Sequence, residues 1–519
     1  MKVRVHPSIC ELYLTKKALR PFSWLGLVSL IFLGFSGSSY GIEAGFSKKT
    51  ITPKTFDSWE DLNNNAKKDA DEPYIDRNKN GKFDPLYLAG FHQNRPVAGV
   101  HDDIYAVASV FRSKNGQTLG IVTLDVIGFM IDDVKKIRKK VQASIPNMHV
   151  VVHSLHNHET PDTQGLWGPN LFTTGVNKDY LEFVVSRASE AIVEAHSKLA
   201  SVEIHHAEIH GYDKEFGVID TRVPKVLERG IRSIIFTNKI SGKVEGSWIH
   251  FSNHVETIWS DNLLITADWP GALRNAAENG ASILEAKSFS RKRLVRYELG
   301  GVSSVFIGNI GGLATTLPDT PVKNPQTGSY MTGATFDKVK AQGEAIALKV
   351  MQYWHANKFK KSSNHNLFIK KNTFRLRVKN MVFIAAAMSG LIDRKMRRLP
   401  FVTIESEVNH IGIGPLEILT IPGELYPEIA HGGIENLPGS DHDTEPEEIP
   451  PLYSLMEGEI NMIWNLANDS VGYIIPHTEW DEKAPYLNLA EKATYGETNS
   501  VGDTSGRQIH EEASKILAE

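Results

Sequence analysis

The stretch LGIVTLDVIGFMIDDVKKIRKKVQASIPNMHVVVHSLHNHETPDT, residues 119–163, decides the fold class. Its first apolar run, Leu119 to Leu124, is β-rich and ends in Asp125. Apolar residues then recur at Ile131, Val134, Ile137 and Val141, the spacing of one helix face, before a second β-rich run from His149 to Val152. The order predicts strand, helix, strand: a unit that pairs two parallel strands through a right-handed crossover and gathers ligands beyond their carboxyl ends. Asp125 and the histidines after Val152 fall at that edge.

The pattern continues outward. Asp179 opens a second amphipathic helix with Leu181, Val184, Val185, Ala188, Ile192, Ala195 and Leu199 on one face, and residues 231–251 read as a hairpin around Ser241-Gly242. The predicted class is α/β, with mixed, partly parallel β-sheets packed with helices. No long-period repeat and no Pro/Gly/Ser-rich linker divides residues 42–519, so one large domain is expected, carrying a polar insertion at 57–85. Residues 439–451, acidic and containing Pro446, Pro450 and Pro451, read as an exposed loop.

A hydrophobic content of 41% with 23% charged residues excludes disordered and fibrous classes. Lys+Arg 57 against Asp+Glu 61 leaves a net charge of −4, so nucleic acid is not an expected partner. Lys16, Lys17 and Arg20 precede the apolar run Trp24 to Phe35 and a small-residue stretch to Gly41, the layout of a secretory signal over residues 1–41. Those residues hold five Lys/Arg and one Glu, so 52 positive and 60 negative residues remain after cleavage, a net −8. The one cysteine, Cys10, lies in the signal, and the expected product is an exported, disulfide-free protein.

LHNHETPDT (residues 155–163) sets His156 and His158 at alternate positions directly after a strand, where an extended backbone turns both toward one cleft. Three further β-runs end in polar residues: Trp248 to Phe251 leads to His254, Ser304 to Ile307 to Asn309 and Gly311, and Leu416 to Ile421 to Glu424. Histidines and a glutamate offered by several strand ends suit a metal-hydrolase edge. No nucleophile elbow, His-Glu-x-x-His, phosphate loop or dinucleotide fingerprint is present.

These segments resemble those of the neutral/alkaline ceramidase family, zinc amidases that cleave N-acylsphingosine. LHNHETPDT is similar to the family's Thr-His-Thr-His-Ser-Gly-Pro segment, and SNHVETIWSDNLLITADWPG (residues 252–271) to its His-Pro-Val and Ser-Ala-Asp-Phe-Pro-Gly segments. LTIPGELYPEIA (residues 419–430) resembles the segment supplying the family's glutamate ligand, DSVGYIIP (469–476) the one with its tyrosine ligand, and IDTRVP (219–224) its Asn-Arg-Ser-Pro segment. The resemblance implies zinc held by His156, His254, Glu424 and Tyr473, with His158 as acid/base and Arg222 stabilising the oxyanion or a polar group of the substrate. It departs in two places. VFIGNIGGLATT (305–316) resembles the loop carrying the family's serine, but Ala314 stands in that position; and the chain ends soon after YGETNSVGDTSG (495–506), without the extra β-domain of typical ceramidases. Cleavage by metal-activated water is therefore the expected chemistry, on the amide of N-acylsphingosine or a related N-acyl lipid. Ester or lactone hydrolysis at the same site, and a non-catalytic calcium-stabilised surface binding protein, are the alternatives.

Within the polar insertion, DLNNNAKKDADE (61–72) places Asp61, Asn63, Asn65, Asp69 and Glu72 at loop positions 1, 3, 5, 9 and 12. DRNKNGKFD (76–84) repeats this with Asp76, Asn78, Asn80 and Asp84, with Gly81 at the turn position 6, although position 12 is Tyr87; the first loop has Ala66 where glycine is expected. Both predict structural calcium sites. Residues 381–392 form an apolar run beside Arg394, Lys395, Arg397 and Arg398, which reads as a buried helix ending in a solvated basic turn; a peripheral lipid contact is the second reading. No protein partner is indicated.

Overall fold

The computed structural model describes residues 41–211, 213–288 and 291–519. The signal-like segment therefore lies, but for Gly41, outside the described residues. The decisive unit forms as read: strands Thr118–Leu124 and His149–Ser154 pair in parallel, joined by helix Ile131–Ser144. They close one edge of a nine-stranded sheet that runs inward through Tyr105–Arg112, Glu43–Thr50, Ala200–Ile209, Ile231–Asn238 and Val244–His250 to Val302–Phe306, with the short strand Lys360–Lys361 paired to Ala200–Ile209 as the ninth. Most neighbours are antiparallel, whereas Val244–His250 and Val302–Phe306 are parallel. The expected hairpin around Ser241-Gly242 is the Ile231–Asn238 and Val244–His250 pair. A second, five-stranded sheet holds Leu367–Arg377, Thr403–Ile413, Leu416–Thr420 and Ile460–Trp464, the last two parallel, with the short strand Met396–Arg397 paired to Thr403–Ile413.

The strands read as unbroken apolar runs because both faces are covered. In Thr118–Leu124, Val122 and Leu124 point into a cluster with Val134, Ile137, Val184 and Ile192 of the helices, while Leu119 and Ile121 point the other way, toward the second sheet. Between the sheets Phe46, Phe111, Phe236, Trp248, Phe306 and Trp464 fill an aromatic layer, with Trp464 stacked on Phe306 at 4.1 Å between ring centroids. Helices Asp268–Asn279 and Phe336–His355 extend the outer layer over Ile231, Ile249 and Val305. On the far side Ile509, Ala513 and Ile516 of helix Ser505–Ala518 pack on Ile404, Val408 and Leu419. The result is helix, sheet, sheet, helix, in one compact unit.

The insertion at 57–85 is anchored on the domain: strand Ser58–Trp59 pairs with Tyr74–Ile75, and Trp59 is buried with its Nε1 donating to Pro96 O at 2.7 Å. One expectation is corrected. The apolar run at 381–392 does form a helix, Met381–Ser389, but of its nine residues only Ala386 is buried.

Candidate functional site

Every predicted zinc ligand follows the carboxyl end of a strand of one of the two large sheets. The backbone turns at His156 through a left-handed φ of 59°, held by Asn157 N–H donating to Val126 O at 3.1 Å and by a bridge from Asn157 to Val255. That bridge sets the His156 segment beside His254. Glu424–Leu425 and Tyr473–Ile474, beyond parallel strands of the second sheet, pair with Glu424 opposite Tyr473.

His156, His158 and His254 are buried, and one nitrogen of each lies within 4.8 Å of the others. His156 Nδ1 sits 2.8 Å from Ile127 O and His254 Nδ1 3.0 Å from Ala314 O. Each Nδ1 must carry a proton to donate to a carbonyl, so Nε2 is the nitrogen of each ring that turns inward. Those Nε2 atoms stand 3.4 and 3.3 Å from Glu424 Oε2, and the Tyr473 hydroxyl bonds to Glu424 while lying 3.0 Å from that of Tyr495. His156, His254, Glu424 and Tyr473 are thus brought together, with His158 against them.

The electrostatics suit a cation. Burial lowers the His156 and His158 pKa values, for His158 well below the usual imidazole range and further through the charges of His156, His254 and Arg95, which keeps both rings neutral. For His254 burial is outweighed by the Glu424 hydrogen bond and the charges of Glu256 and Glu424, and its pKa is raised. Burial raises Glu424, but the charges of His156 and His254 with the hydrogen bonds of His254 and Tyr473 bring it below 4.5, so it is ionised. Tyr473 is raised well above 10 by burial and by the Glu424 charge, and stays a phenol. Both His158 nitrogens are buried without a hydrogen-bond partner, although Glu256 Oε2 is 3.1 Å from Nδ1. Neutral His156 and an ionised Glu424, with His254 Nε2 turned to the same carboxylate oxygen and His158 beside them without a hydrogen-bond partner, fit a zinc-like ion.

The site has parts that sequence reading missed. Glu256, two residues past His254, reaches His158 and accepts the Thr315 hydroxyl at 2.5 Å; the His-x-Glu spacing was its only signal. Gly90, at φ 105°, lies so close that a Cβ there would meet His158 Cγ at 2.5 Å, and Phe91 covers the ring at 5.1 Å. Ala314 takes part through its backbone, its carbonyl accepting both N–H and Nδ1–H of His254. Neither neighbouring hydroxyl is free: Thr315 is bound to Glu256, and Thr316 Oγ1 is 3.3 Å from Asn253 Oδ1 and accepts from Gln342 at 2.8 Å. Arg222 has its terminal nitrogens on Glu428 at 2.6 Å and Glu479 at 3.1 Å and lies over the Tyr426 ring, leaving Nε without a partner. Burial opposes its charge, but Glu428, Tyr426 and Glu479 outweigh that and hold it protonated. Asp125 is structural, gripped by Arg274.

The two polar loops share one conformation. Asp61 accepts the N–H groups of Asn65 and Ala66, as Asp76 accepts those of Asn80 and Gly81; Asp69 and Asp84 each face the two asparagine amides at positions 3 and 5. Ala66 adopts φ 58° where Gly81 has 77°, so the missing glycine does not change the turn. In the first loop Glu72 accepts from Leu62 N at 2.9 Å and Asp69 N at 2.8 Å. In the second loop buried Asp57 accepts from the equivalent Arg77 N at 2.8 Å and Asp84 N at 2.9 Å. Asp57 therefore occupies the place that Tyr87 leaves vacant at position 12, a substitution invisible in the loop's own spacing.

No protein-family model and no curated protein matches the chain. Among solved structures it is similar to neutral ceramidase from Pseudomonas aeruginosa, with 14% identity over 92% of this chain and 74% of that one and a TM-score of 0.59. It is also similar to a ceramidase complexed with C2, with 12% identity, 92% and 75% coverage and a TM-score of 0.61. At those identities the likeness speaks to architecture, and the chain has a neutral-ceramidase-like α/β fold.

Proposed function

We propose that this protein is a zinc-dependent hydrolase that cleaves the amide bond of N-acylsphingosine or a related N-acyl lipid with water as nucleophile. The observation that carries the reading is the convergence of His156, His254, Glu424 and Tyr473 at one buried point where residues 314–316 offer no free hydroxyl. These four would hold a divalent cation, which would supply Lewis acidity toward a carbonyl and toward water. His158, neutral and without a hydrogen-bond partner, takes the proton from water and returns it to the departing amine, with Glu256 steadying its Nδ1. Arg222, clamped by Glu428 and Glu479, orients the substrate's polar end through Nε.

The test is metal content of native protein and His254→Ala by elemental mass spectrometry, followed by hydrolysis of amide and ester substrates of matched acyl length. Zinc near one per chain, lost in the variant together with amide cleavage, is the expected result. Ala314 favours a second reading, since a water-driven site without a serine also suits esters or lactones; turnover of esters alone would establish it.

The duplicated loops support two structural calcium sites, with Asp57 serving the second. Calcium titration followed by melting temperature should show stabilisation by millimolar calcium that Asp57→Asn and Glu72→Gln each reduce. The signal-like residues support export, which mass spectrometry of the mature amino terminus would check.

A further inference from the structure

Helix Met381–Ser389 contains no charged residue, yet Met381, Val382 and Met388 are 73%, 77% and 56% exposed. A helix apolar on all sides is normally enclosed. Next to it stands the tip of a short hairpin, residues 398–401, tied back by Val378 N–H donating to Val402 O at 2.9 Å, and there Leu399 and Phe401 are 78% and 56% exposed. Exposed Arg377, Lys395, Arg397 and Arg398 flank these side chains in a chain whose overall charge is −4. Arg377 lies over the Phe401 ring at 4.3 Å and Lys395 Nζ is 3.4 Å from Asp132, while neither Arg397 nor Arg398 has an ion pair among the described residues.

Both ends of the helix are fastened to segments that build the histidine site. Its N-cap, Asn380, donates from Nδ2 to Thr498 O at 3.1 Å and Ser500 O at 2.9 Å, just after Tyr495, whose hydroxyl meets Tyr473. Beyond its other end buried Arg394 grips Asp469, four residues before Tyr473. The apolar surface is thus mounted on the two loops that deliver Tyr473 and Tyr495.

We propose that helix Met381–Ser389 and the tip at 398–401 dock on an anionic phospholipid surface, the apolar side chains entering the acyl boundary and the basic residues facing the headgroups. Nine residues make about 13 Å of helix, too short to span a bilayer and suited to lying in its interface. No helix among the described residues is long and apolar enough to cross a membrane. The inference extends the N-acyl-lipid reading by naming where such a substrate would be drawn from, but its evidence is the surface alone.

The experiment is flotation of the full chain with vesicles of phosphatidylcholine alone or with about 30% phosphatidylglycerol, at low and raised salt. Comparison is with Met381→Asp/Val382→Asp and with Arg397→Glu/Arg398→Glu, each checked for zinc content, circular dichroism and light scattering. Binding to the anionic vesicles, weakened about tenfold or more by each pair and by salt, is expected while zinc content and cleavage of a short-chain soluble amide stay unchanged. No binding by the native chain, or binding that neither pair alters, would overturn the docking surface even if the enzyme hydrolyses amides. So would a native dimer that Met381→Asp/Val382→Asp dissociates, since the face would then be a self-association surface. Vesicle binding that persists in a chain without hydrolytic activity would leave the docking surface standing and remove only the proposed reaction.

Discussion

Glu256 shows how the site is tuned at the scale of one residue. Its Oε2 lies 3.1 Å from His158 Nδ1 without making a hydrogen bond and its Oε1 accepts from Thr315, so a carboxylate stands beside the imidazole and favours its charge when the ring takes up a proton. Glu256→Gln keeps the shape and removes the charge; we expect zinc content to hold while kcat falls about 10- to 100-fold with little change in KM, measured on a soluble amide. His156, His158, His254 and Glu424 were legible in the sequence because each follows a β-run that reads clearly, whereas Tyr473 came only from the resemblance of DSVGYIIP. Glu256 and Asp57 were not, since their partners are set by folding: His158 lies 98 positions from Glu256, and Asp84 27 from Asp57.

Between elements, the ion pair that joins helix Ile131–Ser144 to strand Thr403–Ile413 contributes to acid stability. Burial pushes the Glu407 carboxyl up, but the hydrogen bonds and charge of Arg138, with Lys371 and Asn409, bring it down to about 2. The Arg138 nitrogens reach its two oxygens at 2.9 and 2.6 Å. Because the folded value lies below the ordinary 4.5, the pair contributes fully above pH 4.5 and is lost as pH falls toward 2. Glu407→Gln should cost about 3 kcal/mol at pH 7 and flatten the acid limb of a denaturant-midpoint profile. The helix at 381–389 teaches a different lesson at this scale. Its apolar pattern predicted the helix correctly but not its exposure, because hydrophobicity reports what a segment would bury and not whether a neighbour is there to cover it.

Across the whole molecule, the layer between the two sheets holds the site together, since His156 and His254 follow strands of one sheet while Glu424 and Tyr473 follow strands of the other. Trp464, fully buried and stacked on Phe306, lies at the centre of that layer. Trp464→Ala should destabilise by about 3–5 kcal/mol in denaturant unfolding and loosen zinc binding, as the sheets lose their shared filling. The sequence by itself determined the α/β class, the strand-helix-strand unit, the hairpin and the histidines after the strand ends, because side-chain periodicity and turn chemistry act over a few neighbouring residues. Only the tertiary structure decided which strand ends meet, that Ala314 serves through its carbonyl, that Arg222 is clamped and that Asp57 completes a loop it does not belong to. Those outcomes rest on contacts between residues tens to hundreds of positions apart, which packing of the two sheets selects and local pattern cannot express.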